Sequence, residues 1–186
     1  MSRLPVLVLT ALTALLLGLS DAPARGGGAS PAAEPRSDHA TVKDPVGDAP
    51  ATIDLVSGDY ALSRKQVGFE VRVKELSEST FLAFEVHLNL DAWDRIAVYR
   101  EHGRTVAKVY FVDTEDNPPP HPAPRACPGL KVSWSSARDT VSLTAPVSCL
   151  QGTESEAPPG YFHVYSRIGG MSGSPRDTMP RRTLDY

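Results

Sequence analysis

Val67-Gly-Phe-Glu-Val-Arg-Val-Lys74 decides the fold, because its apolar side chains alternate with glycine or charged residues. The same alternation returns in Leu82-Ala-Phe-Glu-Val-His-Leu-Asn-Leu90. A period of two residues is typical of a strand with one buried face and one face in water. Both segments therefore predict strands of a half-buried antiparallel sheet.

Further short apolar runs predict the other strands, and turn residues separate them. The runs cover 53–62, 95–100, 106–112, 130–135, 140–145 and 161–168. His102-Gly103 predicts a hairpin between the second and third of these runs. Val109-Tyr110-Phe111-Val112 is apolar on both faces, which is typical of a central strand. Parallel strands would need crossover helices, for which the chain has no room. We therefore predict a single-domain, all-β antiparallel β-sandwich, either jelly-roll or immunoglobulin-like.

Residues 1–24 follow the plan of a secretory signal peptide. Arg3 precedes a 17-residue apolar run over 4–20, and Ala22-Pro-Ala24 forms a small-x-small cleavage site. The alternative is an uncleaved membrane anchor, but a spanning helix needs about 20 apolar residues. No positive cluster follows the run. We predict cleavage after Ala24, an extracellular protein, and no stable membrane span after cleavage.

Composition divides the remainder into a leader, a domain and a tail. Residues 25–41 are rich in Gly, Ala and Pro and predict a flexible leader. The sandwich is expected over 42–186, with a poorly ordered Gly-, Ser- and Pro-rich tail from about residue 170. The net charge of −3 argues against nucleic acid as a partner, since that would require a basic face.

Cys127 and Cys149 are the two cysteines of the chain. In an oxidising compartment such an isolated pair predicts a disulfide. Metal ligation and redox chemistry are the alternatives, but the spacing is far from C-x-x-C and no histidine lies between them.

Asp44-Pro-Val-Gly-Asp48, followed by Asp54, is the best candidate for an ion site. Calcium takes six to eight oxygen ligands from carboxylates, carbonyls and water, and a Pro-Gly turn exposes carbonyls. The alternative is a turn whose aspartates cap backbone amides. Both interpretations stay open on the residues alone.

The run DPVGD…ID also resembles the start of secreted actinobacterial β-sandwich proteins that are similar to DOMON-like and family-nine carbohydrate-binding-like domains. The resemblance continues in Cys127–Val132, Val141–Pro146, Ser148–Leu150 and Ser174–Asp177. Some sandwiches of that group hold a structural calcium with aspartates near both ends of the domain. The resemblance therefore implies a calcium site at Asp44, Asp48 and Asp177, with Asp54 as a weaker fourth ligand.

Trp93, Tyr161 and Tyr165 form a candidate ligand face, since exposed aromatic rings can stack on a sugar. Half-buried sheet positions are the alternative explanation for these rings. No pattern indicates a catalytic triad, so we predict that the chain is not an enzyme. The expected function is that of a secreted, non-catalytic binding or cell-surface accessory module for an extracellular carbohydrate or protein. A secreted enzyme with an unrecognised site and an envelope interaction module are the competing hypotheses.

Overall fold

Two antiparallel sheets pack against each other in the computed structural model of the chain, which describes residues 37–88, 92–113, 123–150 and 160–185. The strands are β1 (Ser37–Lys43), β2 (Leu55–Ser63), β3 (Gln66–Val73), β4 (Thr80–His87), β5 (Ala92–Glu101), β6 (Arg104–Asp113), β7 (Lys131–Ser135), β8 (Thr140–Pro146), β9 (Gly160–Ile168), β10 (Arg176–Thr178) and β11 (Arg182–Leu184). Sheet A has the order β1-β2-β3-β8-β7. Sheet B has the order β10-β9-β4-β5-β6, and β11 also pairs with β9. The predicted all-β sandwich is confirmed.

The alternating side chains fill the space between the sheets, as the period of two predicts. Phe69 of β3 meets Phe84 of β4 at 5.1 Å between ring centroids and Phe162 of β9 at 5.5 Å. Tyr60 adds an edge contact to Phe69 at 5.4 Å. Burial of such rings is the main favourable term in folding. These contacts join sheet A to sheet B at the centre of the core.

β6 is an edge strand, so the prediction of a central strand over Val109–Val112 is wrong. The strand is apolar on both faces because Val109 packs in the core between the sheets, whereas Tyr110 belongs to a second apolar cluster. A later segment covers part of its open edge. Arg125 forms an isolated antiparallel bridge to Val109, and its backbone N–H donates to the Val109 carbonyl at 2.8 Å. The Arg125 guanidinium also pairs with the buried carboxylate of Asp94.

The sandwich begins earlier than the predicted residue 42, and the segment predicted to be a poorly ordered tail contains two strands. β1 begins at Ser37, within the predicted leader, and pairs with β2 along its whole length. β10 and β11 lie in the predicted tail, and the buried side chains of Met179 and Leu184 fasten that segment to the core. The predicted signal peptide lies outside the described residues. Among the described residues, no helix is long and apolar enough to cross a membrane.

The predicted disulfide between Cys127 and Cys149 is present, with the two Cα atoms 5.1 Å apart. Cys149 belongs to a short 3₁₀ turn, Val147–Cys149, that directly follows β8 of sheet A. Because Arg125 holds the same connecting segment to sheet B, residues 125–127 link the two sheets at one edge.

Candidate metal centre

Three carboxylates from opposite ends of the domain meet at one point. Oxygen atoms of Asp44, Asp48 and Asp177 all lie within 4.8 Å of one another. Two oxygens that share a calcium ion at 2.3–2.6 Å are at most about 5.2 Å apart. The separation of the three carboxylates is therefore compatible with a single calcium ion between them.

A tight turn positions the first two aspartates. The chain leaves β1 at Lys43 and reverses through Gly47, whose φ of +98° lies in the left-handed region that favours glycine. The Gly47 N–H donates to Asp54 Oδ2 at 2.8 Å. This bond fixes the turn, so that Asp44 and Asp48 stand on either side of it.

Asp177 reaches the same point from β10. Its Oδ2 accepts the backbone N–H of Leu55 at 2.7 Å, and its Oδ1 accepts that of Thr178 at 2.7 Å. These bonds hold the carboxylate against the start of β2, 122 residues earlier in the chain. Asp177 is therefore both a structural cap for Leu55 and a member of the acidic cluster.

Asp54 is not one of the three converging carboxylates. It holds the turn that carries two of them. The residue has 0% exposure, and its Oδ2 is occupied by Gly47 and by the Lys74 ammonium at 3.4 Å. Asp54 Oδ1 is buried without a hydrogen-bond partner, as is Asp44 Oδ2. Buried carboxylate oxygens without partners are costly, and a bound cation would satisfy them.

The electrostatics of the cluster also favour a cation. Burial raises the pKa of Asp44 to about 6, and the charges of Asp177, Asp48 and Asp54 contribute further. Burial likewise raises the pKa of Asp177, against the lowering effect of its two backbone hydrogen bonds. Carboxylates that repel one another in this way gain stability when a divalent cation neutralises them.

Calcium affinity should therefore depend on pH in a defined direction. The folded-state pKa of Asp44, about 6, exceeds its ordinary value of 3.8. Between these values the cation-free folded state holds an extra proton, so its stability falls as pH rises through the window. A calcium ion at this site would compete with that proton, so its binding at about pH 5 should be roughly tenfold weaker than at about pH 7. Isothermal titration at both pH values measures this difference, and equal affinities would contradict it.

The predicted ligand face maps to the outer surface of sheet B, with unequal exposure. Tyr161 is 43% exposed, whereas Tyr165 is only 2% exposed. Trp93 is half-buried and stacks on His87 at 5.2 Å between ring centroids. The Trp93 indole nitrogen is buried without a hydrogen-bond partner. Of the three predicted rings, Tyr161 alone is freely accessible.

An ion network on the same face was not predicted from the sequence. Arg95 donates to Glu85 Oε1 through Nε at 3.0 Å and Nη2 at 2.7 Å, while His163 Nδ1 lies 3.1 Å from Oε2. Burial would raise the pKa of Glu85, but the bonds from His163 and Arg95 outweigh it and hold the pKa at about 2. The available signal was that all three residues occupy outward positions of predicted strands.

Comparison of the chain with protein-family models, with curated proteins and with solved structures found no match.

Proposed function

We propose that this chain is a secreted, calcium-stabilised β-sandwich that acts as a non-catalytic binding module. The observation that carries the calcium assignment is the meeting of Asp44, Asp48 and Asp177 within 4.8 Å, beside buried carboxylate oxygens that lack partners. All these donors are oxygen atoms, which suit a hard cation such as calcium better than zinc or copper.

Secretion and the binding role are supported by separate features. The disulfide between Cys127 and Cys149 fits an oxidising compartment, in which calcium is also abundant. A binding role is supported by the aromatic and arginine side chains on the outer face of sheet B, residue types that are enriched at interaction surfaces.

Calcium titration of the purified chain by calorimetry tests the assignment directly. We expect one saturable site, with Asp48→Asn removing the binding. Asp48 is the suitable position because its side chain is exposed, whereas replacement of Asp177 would also break the cap on Leu55.

Asp185→Asn is the matched control, since it removes an exposed carboxylate that is not a member of the cluster. It should leave calcium affinity unchanged. Equal loss of binding in both variants would indicate a general charge effect and contradict a specific site.

A further inference from the structure

The outer face of sheet B differs from that of sheet A in a way that folding alone does not require. On sheet A the outward positions carry polar side chains such as Asp59, Glu70 and Thr144. On sheet B the outward side chains form a second apolar cluster. Its buried members are Phe81, Ala83, Ala97, Tyr110 and Tyr165. A two-sheet sandwich needs one apolar face per sheet, so the core between the sheets does not account for this second cluster.

One row of side chains crosses this face from strand to strand. In the sheet register Arg176 of β10 lies opposite Arg167 of β9, Arg167 lies opposite Phe81 of β4, and Phe81 lies opposite Tyr99 of β5. We call these four residues the Arg–aromatic row. Neighbouring strands are about 4.8 Å apart, so the row places two positive charges beside two rings within roughly 15 Å.

The two arginines of the row carry positive charge that the described residues do not neutralise. Like charges directly opposite in an antiparallel pair are destabilising. Both guanidinium carbons nevertheless lie over the Tyr165 ring, that of Arg176 at 4.4 Å and that of Arg167 at 4.9 Å from its centroid. Within the described part of the chain neither has a carboxylate partner, and Glu85 is already bound to Arg95 and His163.

Arg167 also has an unused donor. Its Nη1 donates to the carbonyl oxygen of Met171, but its Nε is buried without a hydrogen-bond partner. That Nε is enclosed by the protein and cannot meet a ligand, so an oxyanion would meet the terminal Nη groups of the arginines, whose fork geometry it matches.

The aromatic half of the row lines a groove of about 540 Å³. Phe81 and Tyr99 stack there at 5.8 Å between ring centroids, and Tyr110 lies beside them. Met171 also lines the groove, and its carbonyl oxygen accepts a hydrogen bond from Arg167. Met171 therefore lies between the groove and the arginine pair. Ligand sites of this size are typically apolar with a few placed polar groups.

We propose that the Arg–aromatic row binds an aryl oxyanion, a ligand with a phosphate, sulfate or carboxylate group attached to an aromatic ring. The anionic group is held by Arg167 and Arg176, and the ring lies in the groove against Phe81 and Tyr99. The two sites share no residue, but Arg176 directly precedes Asp177 on β10, so the calcium affinity of Arg176→Gln has to equal that of the wild type for the two proposals to be tested apart.

Calorimetric titration of the full chain with phenyl phosphate and with inorganic phosphate tests the proposal, at constant ionic strength and submillimolar calcium. Phenyl phosphate should bind at one saturable site, about tenfold more tightly than inorganic phosphate because its ring leaves water. Arg176→Gln should weaken both ligands by at least about tenfold, since it removes a charged hydrogen-bond donor. Arg176 is exposed, so this variant should keep the wild-type melting temperature.

Two further variants separate the parts of the site. Tyr99→Ala should lower phenyl phosphate affinity to that of inorganic phosphate and leave inorganic phosphate unaffected. Arg138→Gln removes an exposed arginine from the turn between β7 and β8 and should change neither affinity. Absence of saturable binding, equal affinity for the two ligands, or equal weakening by Arg138→Gln and Arg176→Gln would overturn the proposal.

Discussion

Calcium at about one hundred times its dissociation constant should stabilise the folded chain by roughly 2.7 kcal/mol. For a domain of this size, that free energy corresponds to a rise in melting temperature of about 5–10 °C. The physical reason is that the proposed ion would bind the folded chain alone, where Asp44, Asp48 and Asp177 are assembled from distant segments. Differential scanning calorimetry in calcium and in chelator measures the rise.

The effect of Asp48→Asn on the melting temperature, relative to the wild type, should differ between chelator and calcium. In chelator the variant should melt no lower than the wild type, because removing one of several repelling carboxylates relieves the cluster. In calcium it should melt lower, because the ion is no longer held. Asp185→Asn should keep the wild-type response in both conditions. A wild-type melt that is identical in calcium and chelator would remove the calcium assignment.

Loss of the disulfide should lower the free energy of unfolding, and this is the second large effect that we expect. The double variant Cys127→Ala, Cys149→Ala should lose roughly 3 kcal/mol of unfolding free energy, because the bond closes a loop with a sequence separation of 22. Alanine is preferred to serine because both cysteines pack against the core. Urea denaturation of the variant, with the slope of the transition compared as well as its midpoint, measures the loss.

Reduction of the wild-type protein provides the matched control for that variant. The reduced wild type and the double variant should unfold at the same urea concentration, well below the oxidised protein. If reduction left the midpoint unchanged, the bond would contribute nothing to stability. The Arg125–Asp94 pair and the bridge to Val109 would then be sufficient to hold this edge of the sandwich.

The strands could be predicted from the sequence because their signal is local. The alternation in Val67–Lys74 reports which side chains face the core, whatever the strand pairs with. The position of a strand within a sheet depends on distant segments. β6 has the apolar pattern of a central strand, but its neighbour on the open side is the bridge from Arg125, which no local pattern indicates. β10 and β11 are too short to show a period at all.

The acidic centre was predictable in part for the same reason. Asp44 and Asp48 flank one Pro-Gly turn, so their proximity follows from local sequence. Asp177 follows from no local pattern, and only the resemblance to other sandwich proteins implies it. The structure brings it to Leu55 by the pairing of β10 with β9. The prediction of Asp54 as a weaker fourth ligand stays a prediction, because its Oδ2 fixes the turn at Gly47 while its Oδ1 is buried without a hydrogen-bond partner.

The Arg–aromatic row had no sequence signal, because it runs across strands rather than along them. Its members belong to four different strands, and only the register places them in line. Tyr165 shows that the outward position of a residue in a strand does not by itself predict its exposure. As an outward residue of β9 it was predicted for the ligand face, but Arg167 and Arg176 lie over its ring and leave it 2% exposed.

The calcium centre is tested most directly by the crystal structure of the protein grown with calcium, using the anomalous scattering of the ion to locate it. The structure predicts one anomalous peak at 2.3–2.6 Å from carboxylate oxygens of Asp44, Asp48 and Asp177. A map with no peak at that point, or with the ion held by other residues, would contradict the account.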